Sequence, residues 1–543
     1  MICIDGTPAR LPRVKLLPGC LALALAVGLN GLSPACAKAQ VPLTSESSIP
    51  AGDAAGWSTA TLIAQVQSLA RTPAMPATAI VVSNCNDNGP GSLRQAVADS
   101  VSGGTIDLTQ TGCSTITLTT GGITTSTGDL TLQGPGMLAL AIDGGNHYRP
   151  LQHNGSGTLR INDLEILNGR KYVANGQPGN PAGACIQSAG TVVVDHAWIT
   201  RCSASSSSTT SGVRGGAIYA KTGVTLISSI VSENSATSTG SFAYGGGVYT
   251  QGSLAVIDSS ISGNTAHSTV GFAQGGGAQV GSVGSGHTPG GVTLASYSTI
   301  HYNTAISDAN NASSIGGGLY TTGNVTIKNT TISGNQARFA GGLELVRGAN
   351  VSGPWTLVND TISDNTATSA VGGASQVGGI RIGTNATQIQ NSTIAFNSVH
   401  STSPNTYGAG VQVNGAVAVD LESTIIASNA SYEGSFPHPD DINGSPGASL
   451  TGANNLIVWP ALLTPPGTIL RTDPRLAPLS SNGGLGWTHA LSPHSPAINA
   501  GNNLTGAQFD QRGTGHPRVI GAAPDIGAFE FDLNDLIFAN GFD

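Results

Sequence analysis

A short motif recurs along the middle of the chain at a nearly fixed interval. Seven times between residues 231 and 429, an aliphatic residue is followed three positions later by an asparagine. Successive asparagines lie 30, 39, 32, 30, 32 and 32 residues apart. A period in this range is typical of one supersecondary unit stacked on copies of itself. The chain is therefore predicted to be a solenoid in which each coil contacts its neighbours.

The asparagines themselves predict a corner of a parallel β-helix. Asparagine tolerates a left-handed backbone, and its amide can bond to the copy in the next coil. We expect a structural ladder of stacked amides formed by Asn234, Asn264, Asn303, Asn335, Asn365, Asn397 and Asn429. A second corner column precedes each aliphatic residue by three positions and is interpreted in the same way: Ser228, Asp258, Tyr297, Asn329, Asn359, Asn391 and Ser423.

The composition restricts the class of partner. Charged residues make up only 9% of the chain, against about 25% in ordinary soluble proteins, and the net charge is −8. No run of Lys or Arg offers the multiple phosphate contacts that nucleic-acid binding requires, so we expect no nucleic-acid partner. Calcium prefers several carboxylates, and only Asp258 in the corner columns carries one. We therefore expect no metal and no other cofactor.

The N-terminus has the pattern of an export signal. Arg10, Arg13 and Lys15 precede an apolar run at 16–29, and small residues allow cleavage after Ala37 or Ala39. The run is shorter than the roughly 20 residues of a membrane-spanning helix, so the mature chain is expected to have no transmembrane span. Residues 1–39 are interpreted as a signal peptide and 40–79 as a linker. The mature protein is expected to be secreted or held at the cell surface.

Removal of the signal peptide leaves four cysteines, which suggests two disulfides in an exported chain. The simplest pairing is Cys85 with Cys113 and Cys185 with Cys202, because near neighbours in sequence lie in the same or adjacent coils. Other pairings of the four are not excluded by the sequence.

The glycines fix the register of two further columns. The column expected to point inward contains Cys185, Ile218, Val248, Ala278, Leu319, Leu343, Ile380 and Val411. Because side chains alternate along a strand, the next residue of each coil should point outward. This outward ladder, with rungs about 4.8 Å apart, contains Ile186, Tyr219, Tyr249, Gln279, Tyr320, Glu344, Arg381 and Gln412.

The start of the solenoid is expected to be covered by a short helix. Ser92 and Gln95 have the spacing of a capping box, and Leu93, Ala96 and Val97 would face the interior. Such a cover hides the apolar surface and the strand edges of the first coil. The predicted fold is thus all-β, a right-handed parallel β-helix over residues 80–470 with an N-terminal helical cap.

Two sets of motifs resemble known families. The glycine doublet of Gly215-Gly216-Ala217-Ile218 with the aliphatic-x-x-Asn element resembles the repeats of polymorphic outer membrane proteins and of right-handed β-helix surface proteins. The segment 91–94 resembles an N-terminal motif of such secreted proteins. Residues 471–531 resemble the choice-of-anchor Q domain through Thr472-Asp473-Pro474, Asn482-Gly483-Gly484, Thr488-His489-Ala490-Leu491, Ser495-Pro496-Ala497-Ile498, Asp510-Gln511-Arg512-Gly513 and the segment 524–530.

The resemblance implies a bacterial secreted or surface-attached protein whose attachment signal varies between members. Here residues 532–543 form a short tail, and 535–543 resemble endings seen on some exported bacterial proteins. We expect this tail to be either a sorting signal or a last strand packed on the loop-rich C-terminal module, since Ile537, Phe538 and Phe542 are good core residues.

The leading functional hypothesis is a non-enzymatic role in adhesion or carbohydrate binding. Tyrosines of the outward ladder could stack on sugars while its other side chains bond hydroxyls, so an extracellular polysaccharide is the expected partner. The proposed ligand-binding residues are Tyr219, Tyr249, Gln279, Tyr320, Glu344, Arg381 and Gln412. The tyrosines could instead only stabilise the sheet, and the whole solenoid could be a mechanical spacer.

An enzyme is the alternative, since β-helices also host polysaccharide lyases and hydrolases. Glu344 and Arg381 are the one pair suited to a lyase, although an exposed ion pair is the simpler interpretation. Asp195-His196 is expected to be a turn pair, and Asp440-Asp441 to lie in a loop or at a coil terminus. His489, Asp510, Arg512 and Asp525 are expected to tie the C-terminal module together by hydrogen bonds. The sequence gives no oligomeric state.

Overall fold

The computed structural model describes residues 78–533 apart from 180, 282–289, 310–312, 350, 369–373, 402–407, 462, 466–468 and 485. The expected signal peptide, nearly all of the linker and the tail from residue 534 lie outside the described residues. The described residues belong to one unit of the chain, Asp53–Asp543.

The chain forms a parallel β-helix in which each coil adds one strand to several sheets in turn. Sheet A consists of Ile80–Val81, Gly104–Asp107, Leu130–Gln133, Thr158–Asn162, Thr191–Asp195, Gly223–Ile227, Ser253–Ile257, Val292–Ser296, Asn324–Lys328, Trp355–Val358, Thr387–Gln390, Ala418–Glu422 and Ser449–Thr451. Sheet B consists of Thr115–Thr117, Ala141–Asp143, Glu165–Leu167, Trp198–Thr200, Ile230–Ser232, Ser260–Ser262, Thr299–His301, Thr331–Ser333, Thr361–Ser363, Thr393–Ala395, Ile425–Ala427, Asn455–Ile457 and Ile469–Leu470.

The other sheets complete the coil. Sheet C consists of Ile123–Thr125, Leu151–His153, Ile186–Ser188, Ile218–Ala220, Val248–Thr250, Ala278–Val280, Leu319–Thr321, Leu343–Leu345, Ile380–Ile382, Val411–Val413 and Ile442–Gly444. Sheet D consists of Arg170–Val173, Ser203–Ser206, Ser235–Ser238, Thr265–Ser268, Thr304–Ser307, Gln336–Ala337, Thr366–Thr368, Ser398–Ser401, Ala430–Glu433 and Phe436–Pro439. The small sheet E consists of Val213–Arg214, Ala243–Tyr244, Ala273–Gln274 and Ser314–Ile315.

The predicted inward column is confirmed from Ile218 to Val411. These residues pair in register from coil to coil and are completely buried. The first coil was misaligned by one residue, because Ile186 and not Cys185 pairs with Ile218. This coil has a single glycine at the turn, Gly183 with φ 55°, where later coils have two or three, so counting glycines gave the wrong register.

The N-terminal cover is also confirmed. A helix, α1 (Leu93–Asp99), begins after Ser92, whose hydroxyl accepts the backbone N–H of Gln95 at 3.2 Å. Its buried side chains are Leu93, Ala96 and Val97, as the sequence predicted. The guanidinium of Arg94 donates to the Asp87 carboxylate at 2.6 Å and so ties the helix to the preceding turn. The first coil is thereby closed by apolar packing and an ion pair.

Both predicted disulfides are present, Cys85 with Cys113 and Cys185 with Cys202. The first lies beside the N-terminal helix and the second connects sheets C and D. Each crosslinks residues that are close along the chain, as expected for neighbouring coils.

The asparagine ladder is confirmed, with one correction. Each Nδ2 donates to Oδ1 of the next asparagine at 2.9–3.0 Å along the whole column from Asn234 to Asn429. The asparagines are not the left-handed residues, however. Positive φ angles of 54–63° belong to the residue immediately before each of them, for example Glu233 and Tyr302. The amide side chain therefore points into the coil. There it bonds to backbone groups that would have no hydrogen-bond partner in the turn.

The second corner column is left-handed throughout, with φ of 46–56° from Ser228 to Ser423. The residues that follow it form a second interior ladder of polar side chains, which the sequence analysis did not identify. For example, the backbone N–H of Ser229 donates to the Ser259 hydroxyl at 3.0 Å, and that of Thr330 donates to the Asp360 carboxylate at 2.9 Å. Two buried polar ladders thus hold the two corners of sheet B.

The last strand of sheet D is unlike the others. Phe436–Pro439 pairs antiparallel with Ala430–Glu433 and is exposed along its length. Its two prolines lack the N–H needed for further pairing, so they protect this sheet edge. Within the part of the chain that the structure describes, no helix is long and apolar enough to cross a membrane.

Candidate functional site

The outward ladder has the predicted register but not the predicted exposure. Tyr219, Tyr249, Gln279, Tyr320, Glu344, Arg381 and Gln412 pair in sequence on consecutive strands of sheet C. The misaligned first coil contributes Gln187 to this column in place of Ile186. Five of the seven side chains are only 0–4% exposed, and Tyr219 and Arg381 are partly buried. The expectation of an open ladder is therefore wrong.

A second row of side chains covers the ladder. In the coils from Tyr219 to Arg381 the residue before the turn lies five positions before the ladder residue, as Gln274 does relative to Gln279. The turn residue between them is left-handed, for example Gly275 with φ 61°, and folds the chain back over the ladder. Gln279 accordingly donates to Oε1 of Gln274 at 3.2 Å. A side chain that points outward from the strand is therefore not necessarily exposed in this sheet.

Glu344 and Arg381 form a buried ion pair and not the exposed one expected. The guanidinium donates two hydrogen bonds to the carboxylate, at 2.6 and 2.8 Å. Side-chain exposure is 3% for Glu344 and 19% for Arg381, whose guanidinium also lies 5.7 Å from the Phe339 ring centroid. Burial raises the pKa of Glu344, and Arg381 opposes that shift. A lyase base would have to reach its substrate, and only 3% of this side chain is exposed.

The ladder tyrosines contact one another or charged neighbours. The rings of Tyr219 and Tyr249 are stacked with centroids 5.7 Å apart, and the Arg214 guanidinium lies 5.9 Å from the second ring. Burial, with a smaller contribution from Glu344, raises the pKa of Tyr320 well above its ordinary value. These contacts fit the interpretation that the tyrosines stabilise the sheet. A ligand-binding role for the ladder stays a prediction.

The C-terminal module lies along the flank of the solenoid. Gln511 donates to the Thr331 hydroxyl at 2.9 Å and accepts from that of Thr361 at 2.5 Å, both on the outer face of sheet B. The second corner column contacts the module through amides, with Asn359 donating to the carbonyl of Phe509 at 3.2 Å. The corner amides at 329, 359 and 391 therefore bind the C-terminal module, a role that the repeat spacing in the sequence did not predict.

The four residues of the module that invited a catalytic interpretation hold it together. Arg512 donates to the Asp510 carboxylate at 2.8 Å and to the carbonyl of Glu530 at 2.7 Å. The Asp525 carboxylate accepts backbone N–H groups of Asn499 and Phe531 at 2.7 and 2.6 Å. His489 accepts or donates across to the Ser363 hydroxyl at 2.7 Å on sheet B, and burial lowers its pKa. All four side chains are buried.

The two remaining acidic motifs have the expected surroundings. His196 is left-handed with φ 48°, and its Nδ1 lies 2.7 Å from the Asp195 carboxylate, which raises the pKa of His196. Asp440 and Asp441 lie at a coil terminus, where Asp441 accepts hydrogen bonds from the last asparagine of the ladder. Within the described ranges no group of three or more His, Cys, Asp or Glu residues could hold a metal ion.

An accessible polar surface lies on sheet D instead. Two outward columns of its strands carry partly exposed hydroxyl side chains, while the residues between them are buried alanines and a valine. We call this surface the hydroxyl face and define it by Ser203, Ser205, Ser235, Thr237, Thr265, Thr304, Thr366, Thr368 and Ser398. The strand register places like positions side by side, as in Ser235 with Thr265. Adjacent rungs lie about 4.8 Å apart.

Aromatic rings flank the hydroxyl face at both ends. Tyr172, which is 53% exposed, pairs with Ser205 on the next strand. At the other end the rings of His400 and Tyr432 are stacked with centroids 4.6 Å apart. The face is interrupted in the middle by His267, Ile306 and Gln336. The sequence contains a pattern that could have predicted this face, because a hydroxyl residue and then an alanine follow most of the ladder asparagines.

Comparison of the chain with protein-family models, with curated proteins and with solved structures gives no match.

Proposed function

We propose that the protein is an exported recognition protein that binds an extended polysaccharide along the hydroxyl face. The observation that carries this proposal is the pair of registered hydroxyl columns on sheet D. A ligand with a regular repeat can use equivalent contacts on successive coils, so many weak hydrogen bonds add along one molecule.

The chemistry of the face supports a neutral glycan. Hydroxyl groups both donate and accept, so Ser and Thr columns match the hydroxyl rim of a sugar chain. The terminal rings of Tyr172 and His400 offer apolar surfaces for sugar faces. Few charges lie on the face, which disfavours strongly charged polymers. One titratable side chain lies within the face, because His267 occupies the second column between Thr237 and Ile306. Its Nε2 lies 2.8 Å from the Asp308 carboxylate.

The buried outward ladder is the less favourable place for such a ligand. Most of its side chains would have to be uncovered first, and the Glu344 carboxylate is already satisfied by Arg381. A non-enzymatic role in adhesion or glycan recognition therefore remains the proposal, with its surface moved from sheet C to sheet D.

Sedimentation with insoluble polysaccharides tests the proposal. The purified protein is mixed with cellulose, chitin, xylan or mannan, and the bound fraction is measured. We expect binding to at least one of these, and its loss in Thr237→Lys/Thr265→Lys/Thr366→Lys, which places bulky cations on the face. A matched control is Thr225→Lys/Thr326→Lys/Thr356→Lys, since these three residues are partly exposed on the outer side of sheet A. Equal binding by the two variants would remove the hydroxyl face as the site.

We propose further that the protein is held at the bacterial cell surface, as its resemblance to choice-of-anchor Q proteins implies. The two disulfides support an extracellular location. Deleting residues 535–543 and fractionating cells tests the tail as a sorting signal. Unchanged location and secretion would show that the tail has no such role.

A further inference from the structure

The outer face of sheet B has two parts, one that the C-terminal module covers and one that precedes it. From Thr331 onward it carries the C-terminal module, whose residues bond to successive strands. On the strands before it, the first outward column contains Glu165, Trp198, Ile230 and Ser260, paired in register. This earlier half carries one large aromatic side chain, Trp198, at its centre.

The indole of Trp198 is held in a fixed orientation. Its Nε1–H donates to the hydroxyl of Ser232 on the neighbouring strand at 2.8 Å, and that serine is buried. Because the one polar group of the ring is already bonded to the protein, the accessible part of the ring is purely apolar. A fixed apolar ring on a sheet surface loses little conformational freedom when a flat ligand packs on it.

Charged groups stand next to this ring. Glu165 occupies the adjacent rung, and its carboxylate lies 3.5 Å from the Arg201 guanidinium. The Arg201 side chain is 52% exposed and starts from a left-handed corner residue with φ 54°. The carboxylate accepts hydrogen bonds and the guanidinium donates them, so both kinds of partner lie at one edge of the ring.

We propose that Trp198, Glu165 and Arg201 form a binding site for a single pyranose ring. A pyranose has an apolar face of C–H groups, which would lie against the indole, and a rim of hydroxyls, which would bond to Glu165 and Arg201. A simple cation fits less well, because Arg201 already neutralises the carboxylate. The site lies on a different sheet from the hydroxyl face and takes one ring where that face takes an extended chain.

Titration with methyl pyranosides tests this site. The probes are the methyl glycosides of glucose, galactose, mannose and N-acetylglucosamine, and the readouts are calorimetry and intrinsic tryptophan emission. We expect at least one to bind, with a shift in emission. Trp198→Ala should weaken that binding at least tenfold, which corresponds to about 1.4 kcal/mol and is the size of one stacking contact. Trp198→Phe should retain part of it, and Glu165→Gln should weaken it severalfold.

The control is Trp459→Ala, which removes a 54% exposed tryptophan at the other end of the described chain. This variant should bind the pyranoside like the parent protein. Thermal melts establish that each variant is folded. Absence of binding by the parent protein to all four probes, or unchanged affinity in folded Trp198→Ala, would overturn the proposal. The lysine variants of the hydroxyl face should bind pyranosides normally, so the two sites are tested separately.

Discussion

Asn429 donates through Nδ2 to a carboxylate oxygen of Asp441 at 3.0 Å, so the asparagine ladder ends on an acidic side chain. The same oxygen accepts the backbone N–H of Asn429, and the other oxygen accepts that of Trp459 at 2.9 Å. A carboxylate offers only acceptors, which suits the last position of a column in which every member donates to the next. The column is therefore directional, and its members are not interchangeable.

The direction of the ladder predicts that aspartate is harmful inside it. Asn335 donates to Oδ1 of Asn365 at 2.9 Å and to the carbonyl of Ile300 at 2.8 Å. In Asn335→Asp a carboxylate oxygen replaces the donating Nδ2, so two pairs of hydrogen-bond acceptors would face each other in the buried interior. We expect a loss of at least about 3 kcal/mol, and a larger loss than in Asn335→Ala. The measurement is the urea midpoint followed by circular dichroism, with Thr237→Ala on the hydroxyl face as the control that stays within about 0.5 kcal/mol.

The docking of the module predicts a measurable role for Gln511. Its amide bridges the hydroxyls of Thr331 and Thr361 on two strands of sheet B. Gln511→Ala leaves buried hydroxyls without these partners and should cost about 1–3 kcal/mol. Limited proteolysis should then cut the module sooner than in the parent protein. The control is Asn503→Ala, which alters only bonds within an exposed turn, and equal cutting rates for the two variants would contradict the role of Gln511.

The sequence was sufficient for the coil and its register because the corners are marked by residues with special backbones. Glycines and asparagines located the columns, and the capping spacing at Ser92 located the helix. The sequence did not show that the outward ladder is buried. The alternation of side chains along a strand predicts the direction of the Glu344 side chain, but it does not predict which residues cover that side chain. The docking of the C-terminal module on sheet B could not be predicted either, because Gln511 and Thr331 are 180 residues apart and no local pattern relates them.

The buried ion pair predicts an asymmetric response to mutation. Removing Arg381 alone leaves Glu344 buried without a partner, so Arg381→Ala should cost about 3–5 kcal/mol. Replacing both residues by leucine should be far less harmful, since no isolated charge remains. The melting temperatures of the single and double variants measure this difference. If Arg381→Ala were to melt within a degree of the parent protein, the pair would have to be exposed, as the sequence had suggested.

Two buried carboxyls stabilise the folded chain more in mild acid than at neutral pH, whereas buried His301, whose pKa is lowered by burial to about 4, acts in the opposite direction. Burial, enhanced by Asp525 and opposed by Arg518, raises the pKa of Glu530 from 4.5 to about 7. Burial likewise raises the pKa of Asp441 from 3.8 to about 6, against the hydrogen bonds from Asn429 and Trp459. At these two carboxyls the folded chain binds more protons than the unfolded chain between the ordinary and the raised pKa values, so their contribution to the free energy of unfolding falls as pH rises through this window.

We expect a higher melting temperature at pH 5 than at pH 8, with each unit of pKa shift worth about 1.4 kcal/mol at most. The Glu530→Gln variant removes one titrating group and should reduce this difference, whatever its effect at a single pH. The matched control is Glu233→Gln, because Glu233 is exposed at a corner. This variant should keep the pH profile of the parent protein. The same difference between pH 5 and pH 8 in folded Glu530→Gln as in the parent protein would contradict the raised pKa of Glu530.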